Sequence, residues 1–329
     1  MALSMCIVGC GGYARSVLDA VAGMTDEFSL YFASRDEARA KQYCEEYGGS
    51  GYFGSYEDAA ADPRIESMYF FTPHDLHLEN ARLAAENGKH VLMEKPIART
   101  IAEAEELICA PHEADVRLMI AENYRFLPGV DRAKELMAAG EIGDLTAINI
   151  RHAGFYRPGG WRRSQERTGG GVFIDGGIHP VDIMVNVGGF PERVSAQFPI
   201  KIHMDSEGED GIVMMARLPG GVVGSLTYSA ATPTNRRDTW VSITGSKANL
   251  EFDPFGDEII VSTQEVSRTE SLAPGQDSAL RAMVREFRDA IADGREPIMS
   301  GSEGLRDLAV VLAAYESART GETVAVQAP

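Results

Sequence analysis

The stretch Ser4-Met5-Cys6-Ile7-Val8-Gly9-Cys10-Gly11-Gly12-Tyr13-Ala14-Arg15-Ser16-Val17-Leu18-Asp19-Ala20-Val21-Ala22 decides how the first half of the chain reads. The apolar run at 4–8 predicts a short buried strand. Gly9, Gly11 and Ala14 follow in the spacing G-x-G-x-x-A, and Val17, Leu18, Val21 and Ala22 then recur with helical period. A strand, a glycine turn and a helix in that order form the context in which this spacing reads as a dinucleotide fingerprint. One glycine makes the turn, the next lets the backbone approach a pyrophosphate, and the small third residue packs helix on strand. The helix N-terminus then faces the phosphates, with Gly12 and Tyr13 in its first turn. A plain tight turn is the alternative.

Outward from this turn, Leu30-Tyr31-Phe32-Ala33 predicts the second strand. A dinucleotide with a free ribose 2′-hydroxyl calls for an acidic residue at its end. Ser34 and Arg35 stand there instead. Arg35 offers a planar permanent cation to a 2′-phosphate, which favours NADP, with NAD as the alternative. A one-residue shift would let Asp36 meet the ribose hydroxyls. Strands at 67–71 and 89–93 are followed by Thr72-Pro73-His74-Asp75-Leu76-His77 and Glu94-Lys95-Pro96. Ligands of open parallel sheets bind beyond the carboxyl ends of the strands. Thr72, Pro73, His77, Glu94 and Lys95 are therefore expected around the cofactor. A cofactor-side lysine is a candidate base; a surface lysine is the alternative. His74 and His77 lack further closely spaced ligands, so no metal is expected. Helices at 78–87 and 101–109 and a strand at 116–121 complete a doubly wound parallel α/β sheet, a Rossmann domain over 1–122. Glu122-Asn123-Tyr124-Arg125-Phe126-Leu127-Pro128 leaves the last strand and precedes a helix at 130–139.

After Gly143 the pattern changes. Segments 145–151, 193–203, 211–218, 222–229, 239–244, 248–252 and 258–262 read as strands, several alternating apolar with polar and joined by glycine turns. They predict an α+β domain over 123–329 with a large, mostly antiparallel open sheet. One face is covered by helices, and the other is left for a homodimer or homotetramer. Apolar stripes at helical spacing place two helices at 280–292 and 305–318, with Met283 and Phe287 in the core. The glycine-rich loop around Tyr156, Trp161 and Arg162 suits stacking and hydrogen bonding to a polar ring.

Gly169-Gly170-Gly171-Val172-Phe173-Ile174-Asp175-Gly176-Gly177-Ile178-His179-Pro180-Val181-Asp182 packs five glycines, two carboxylates and an imidazole into fourteen residues. The glycines are expected to bend around a ligand. Asp175 and His179 share a face if a helix begins near Asp175, and a carboxylate beside an imidazole suits general acid–base work. A glycine turn with a capping Asp175 is the alternative.

Composition narrows the classes. The chain has 329 residues, 44% hydrophobic and 24% charged, with a formal net charge of -18. That excludes a general nucleic-acid or anionic-membrane surface, since either needs a basic face. Cys6, Cys10, Cys44 and Cys109 form no C-x-x-C pair and read as free thiols of a reducing compartment. No signal peptide and no membrane-length apolar run is evident, so the cytoplasm is expected.

Together these landmarks resemble the glucose–fructose oxidoreductase, inositol dehydrogenase and rhizopine-catabolism (Gfo/Idh/MocA) family. The fingerprint, Gly88-Lys89-His90-Val91-Leu92-Met93-Glu94-Lys95-Pro96, the Asp175/His179 segment and the tail around Ser300 to Leu305 and Tyr315 to Ala318 carry the resemblance. It implies a Rossmann domain followed by an open-sheet domain. It also implies an NAD(P)-dependent oxidoreductase of a sugar, cyclitol or related polyol, with Lys95, Asp175 and His179 as catalytic trio. Asn123, Arg125, Tyr156, Trp161 and Arg162 are expected at the substrate. The Ser34-Arg35 pair resembles the NADP-preferring branch. Some relatives are NAD-dependent glycoside hydrolases and a few are non-catalytic NADP-binding sensors; retention of all three trio residues argues against a sensor.

Overall fold

The computed structural model describes residues 2–235 and 238–328. By its contacts the chain divides into two units, Met1–Ala121 with Leu280–Leu305, and Glu122–Ala279 with Arg306–Pro329. Residues 280–305, expected with the second domain, thus count with the first.

The first unit is built on six parallel strands: β1 (Leu3–Val8), β2 (Phe28–Ala33), β3 (Gly51–Phe53), β4 (Ser67–Phe70), β5 (His90–Glu94) and β6 (Leu118–Ala121). Their order is β3-β2-β1-β4-β5-β6, which places the switch point of the sheet between β1 and β4. β1, β4, β5 and β6 are almost wholly buried, as continuous apolar runs in a doubly covered parallel sheet should be. Helices α1 (Gly12–Val21), α2 (Glu37–Glu46), α3 (Tyr56–Ala61), α4 (His77–Glu86) and α5 (Ile101–Glu113) form the crossovers. β3 and α3 escape the sequence reading because each is too short to show a period. The register pairs Val8 with both Ala33 and Phe70, so the turns after β1, β2 and β4 leave the sheet at one level. Residues 280–305 join this unit through Arg281, whose Nε donates to the Ala20 carbonyl at 2.6 Å, and through Arg285 and Arg288 on the Glu27 carboxylate.

The second unit carries nine strands: β7 (Leu145–Ala153), β8 (Arg193–Gln197), β9 (Gly211–Arg217), β10 (Val223–Ser229), β11 (Asp238–Gly245), β12 (Asn249–Phe252), β13 (Glu258–Ser262), β14 (Ser267–Ser271) and β15 (Val324–Ala325). Their order is β14-β13-β12-β11-β7-β10-β9-β8-β15; β10 runs parallel to β7 and every other pair is antiparallel. The expected strand at 193–203 stops at Gln197, ahead of Pro199, which has no N–H for a ladder. β14 is polar throughout and therefore shows no alternation to read. Ile148, Ile150, Met214, Leu226, Val241, Ile243 and Leu250 share one buried face. Helix α8 (Ile178–Gly188) lies against β7 and β10, and α6 (Pro128–Ala138), α7 (Gln165–Thr168) and most of α10 (Gly301–Thr320) belong to this unit, whereas α9 (Gly275–Asp293) counts from Leu280 on with the first. Met283 and Phe287 are fully buried, as expected of a core stripe. Among the described residues no helix is long and apolar enough to cross a membrane.

Candidate active site

In the first unit the fingerprint forms around two constraints. Gly9 has φ +95°, and a Cβ there would lie 3.0 Å from the Phe71 carbonyl at the end of β4, so only glycine fits. Ala14 is fully buried under the sheet. Gly11 and Gly12 are exposed, and a Cβ at either would meet no protein atom within 4 Å. Gly11 caps α1 with no side-chain hydrogen bond, which leaves the first amides of α1 directed at the open space over the glycines. This is the cradle a pyrophosphate requires, so the residues present fit a dinucleotide. Tyr13 sits beside Phe71, ring centroids 6.2 Å apart.

At the end of β2, Ser34 is buried and its Oγ accepts from the Asp36 amide at 3.2 Å. Asp36 in turn accepts from the Arg39 amide at 3.3 Å as the N-cap of α2. Arg35 is exposed, and its positive charge lies near the Tyr56 hydroxyl. Thr72 Oγ1 accepts from Asn80 at 2.7 Å. Pro73 opens the short turn His74–Leu76. His77 is fully buried, with Nδ1 2.9 Å from the Pro96 carbonyl and Nε2 3.1 Å from that of Thr72. It ties the loops after β4 and β5 together, and burial drives its pKa down to about 3, so the ring stays neutral. Glu94 is buried and accepts from Tyr69 at 2.8 Å. Lys95 follows it, half-buried, and the Lys95–Pro96 peptide is cis.

In the second unit the glycine run proves to be a packing device. A Cβ on Gly170 would stand 2.5 Å from the Tyr315 ring, and one on Gly171 would stand 2.3 Å from the Glu209 amide. The Tyr315 hydroxyl accepts from the amides of Gly171 and Ile174, at 3.1 and 3.0 Å, and donates to Glu209 Oε1 at 2.6 Å. The expectation that this glycine run wraps a ligand is thus corrected at Gly170 and Gly171: α10 and the 208–209 turn press against them. The chain then passes through a π-helical turn, Phe173–Gly177, into α8. Such wide turns are frequent at functional sites.

This turn sets out Asp175 and His179, but not as the expected isolated pair. Asp175 Oδ2 accepts from Arg162 Nε at 3.0 Å. Arg162 also lies over the Trp161 ring, 4.5 Å from its centroid. Tyr156, on the same loop, lies near the buried Tyr228, whose hydroxyl packs against Gly176. Three expected substrate residues, Tyr156, Trp161 and Arg162, therefore gather around Asp175. His179 Nδ1 meets Glu122 Oε1 at 2.6 Å, and its ring stacks on Tyr124 at 4.2 Å with an 11° interplanar angle.

Two expected substrate residues are placed differently. Arg125 is 7% exposed and engages the buried Asp182 in a bidentate pair, Nε to Oδ1 at 2.8 Å, so its fork holds the 123–126 turn to α8. Asn123 is buried in the same turn. Glu122, Tyr124, Tyr228, Asp182 and Asp307 escape the sequence reading. The available signal was that Glu122 directly follows a parallel strand, where ligand-facing groups collect.

A model of the oxidoreductase family with the NAD-binding Rossmann fold matches residues 3–122, and one of the GFO/IDH/MocA C-terminal domain matches 130–251. The chain belongs to the GFO/IDH/MocA family. It is therefore an NAD(P)-dependent oxidoreductase, as its cradle and its resemblance led us to expect. Among relatives in this family, the chain is similar to the 1,5-anhydro-D-fructose reductase of Ensifer adhaerens, 27% identical with 98% of each chain covered. It is also similar to a D-xylose 1-dehydrogenase (NADP(+)) of Haloferax volcanii, 30% identical over 97% of this chain and 98% of that one. The solved family fold of the aldose-aldose oxidoreductase from Caulobacter crescentus, complexed with glycerol, superposes with a TM-score of 0.89 at 28% identity, covering 99% and 100% of the two chains.

Proposed function

We propose that the protein is an NADP-preferring dehydrogenase or reductase acting on a secondary alcohol or carbonyl of a sugar, cyclitol or related polyol. One observation carries the reading: an imidazole at the head of α8, paired through Nδ1, beside a loop that offers an arginine, a tryptophan and a tyrosine to hydroxyl-rich rings. When bound, the nicotinamide supplies the hydride acceptor or donor. His179 takes the hydroxyl proton at Nε2 and returns it in the reductive direction. Lys95 is assigned the charge of the developing alkoxide. Asp175 and Arg162, already paired, present one acceptor and a fork of donors to neighbouring hydroxyls. Ser34 and Arg35 support NADP, since no carboxylate opposes a 2′-phosphate at the end of β2 while Asp36 is engaged as a helix cap.

The uncovered sheet face supports pairing of two copies. Val213, Met215, Val223, Trp240 and Ile260 share that face and are 36–57% exposed, interleaved with Asn149, Ser225 and Ser242. Symmetric pairing would bury this surface, giving a homodimer or a homotetramer. The free thiols suit the cytoplasm.

The test is nicotinamide reduction on a panel of aldoses, inositols and sugar acids, with NADP⁺ and NAD⁺ in parallel, repeated with ketoses and anhydro-sugars in the reductive direction. Turnover by the wild type and its loss in Lys95→Ala and His179→Asn, with cofactor binding kept, is the expected result. Substrate consumption with no net change in nicotinamide absorbance would replace this reading with that of a redox-assisted glycoside hydrolase. Cofactor binding without any turnover would favour a sensor.

A further inference from the structure

We propose that Glu122 is the positioning residue for His179: it accepts the proton on Nδ1, leaves the lone pair on Nε2, and balances the charge the ring gains when it takes a proton. The inference rests on the acid–base role proposed for His179, and its geometry is independent of that role. Glu122 is 1% exposed, and its Oε1 lies 2.6 Å from His179 Nδ1. The same oxygen accepts the Tyr124 amide at 3.0 Å, which locks the carboxylate against the chain. The Tyr124 ring, two residues on, covers one face of the imidazole. Carboxylate, amide and ring thus fix the rotation, tautomer and plane of His179 from a single turn.

Other titratable groups stand on the elements packed around this pair. The 123–126 turn contributes Arg125, α8 contributes Asp182, α10 contributes Asp307, and the π-helical turn contributes Asp175. Arg125 is taken by Asp182. Asp307 is fully buried, and its burial together with the negative charge of Asp182 raises its pKa. The carboxylate that faces His179 Nδ1 is that of Glu122. Protonation of His179 neutralises it. A buried anion whose counter-charge appears as the base takes its proton raises the basicity of that base.

The test is ring ¹⁵N spectroscopy of the full chain, with the His179 signals assigned by their loss in His179→Asn, alongside pH profiles of kcat/KM for wild type and Glu122→Gln. In the wild type the neutral ring is expected as the Nδ1–H tautomer. Glu122→Gln is expected to lower the His179 pKa by about one unit or more. The low-pH limb of kcat/KM should move down with it, and kcat should fall on the order of 10²-fold or more while cofactor affinity holds. An Nε2–H tautomer in the wild type, or an unmoved His179 pKa in a folded Glu122→Gln, would overturn the proposal. If Glu122→Gln does not fold, the wild-type tautomer decides alone. Full turnover by His179→Asn would overturn the catalytic role of His179, and the tautomer would still decide the Glu122 contact.

Discussion

Asp175 accepts a hydrogen bond from Arg162 Nε at 3.0 Å. A carboxylate that its spacing paired with His179 is therefore matched to a guanidinium from a separate loop, and the loop is held at the π-helical turn by charge. Arg162→Ala is expected to lower kcat/KM for the polyol by about 10- to 100-fold, the range of a charge-assisted hydrogen bond. The effect should fall mainly on KM, with cofactor affinity unchanged. Steady-state kinetics with saturating cofactor checks it; an unchanged KM would remove Arg162 from the substrate.

Arg35→Asp is expected to invert the cofactor preference. The substitution removes the cation that meets a 2′-phosphate and supplies a carboxylate for ribose hydroxyls. The ratio of kcat/KM for NADP⁺ to that for NAD⁺ should fall by about 10-fold or more, in keeping with about 1.5–3 kcal/mol for a charged hydrogen bond. A ratio that does not move would assign the preference to other residues.

Tyr315→Phe tests the packing role of the glycine run. One hydroxyl serves the amides of Gly171 and Ile174 and the Glu209 carboxyl. Its removal leaves buried partners unmatched, at about 2–4 kcal/mol. The melting transition of this unit should drop by about 5 °C or more. A melting curve within 1 °C of the wild type, about the shift a minor contact gives, would show that the backbone there supports itself.

Glu209 predicts a pH dependence of stability. Burial pushes its carboxyl up to about 7 from 4.5, despite the Tyr315 hydroxyl. Between those values the folded state keeps a proton that the unfolded chain has released. This contribution is thus present below about pH 4.5 and is lost as pH rises through 7. Glu209→Gln, which keeps an acceptor for Tyr315 and the Phe173 amide, should gain stability relative to wild type across that window, by no more than about 3 kcal/mol. Parallel denaturant titrations at pH 5 and pH 7.5 measure the difference; identical shifts at both pH values would contradict the assignment.

The sequence by itself determined the fold class and the cofactor cradle. Both are local: strand period, turn spacing and helix stripe act within a few residues, and Gly9, Ala14 and the alternating strands declare themselves that way. The family signatures named Lys95, Asp175 and His179 for the same reason. Tertiary structure alone decided the partners. Glu122 reaches His179 across 57 positions, Arg125 reaches Asp182 across the same separation, and Tyr315 reaches Gly171 across 144. Each is a buried or part-buried hydrogen bond that removes a desolvated polar group from cost, and such groups pair with whatever the fold brings within reach. No local pattern encodes that choice. It is why a nearby aspartate looked like the partner of the imidazole while a glutamate at a strand end holds it.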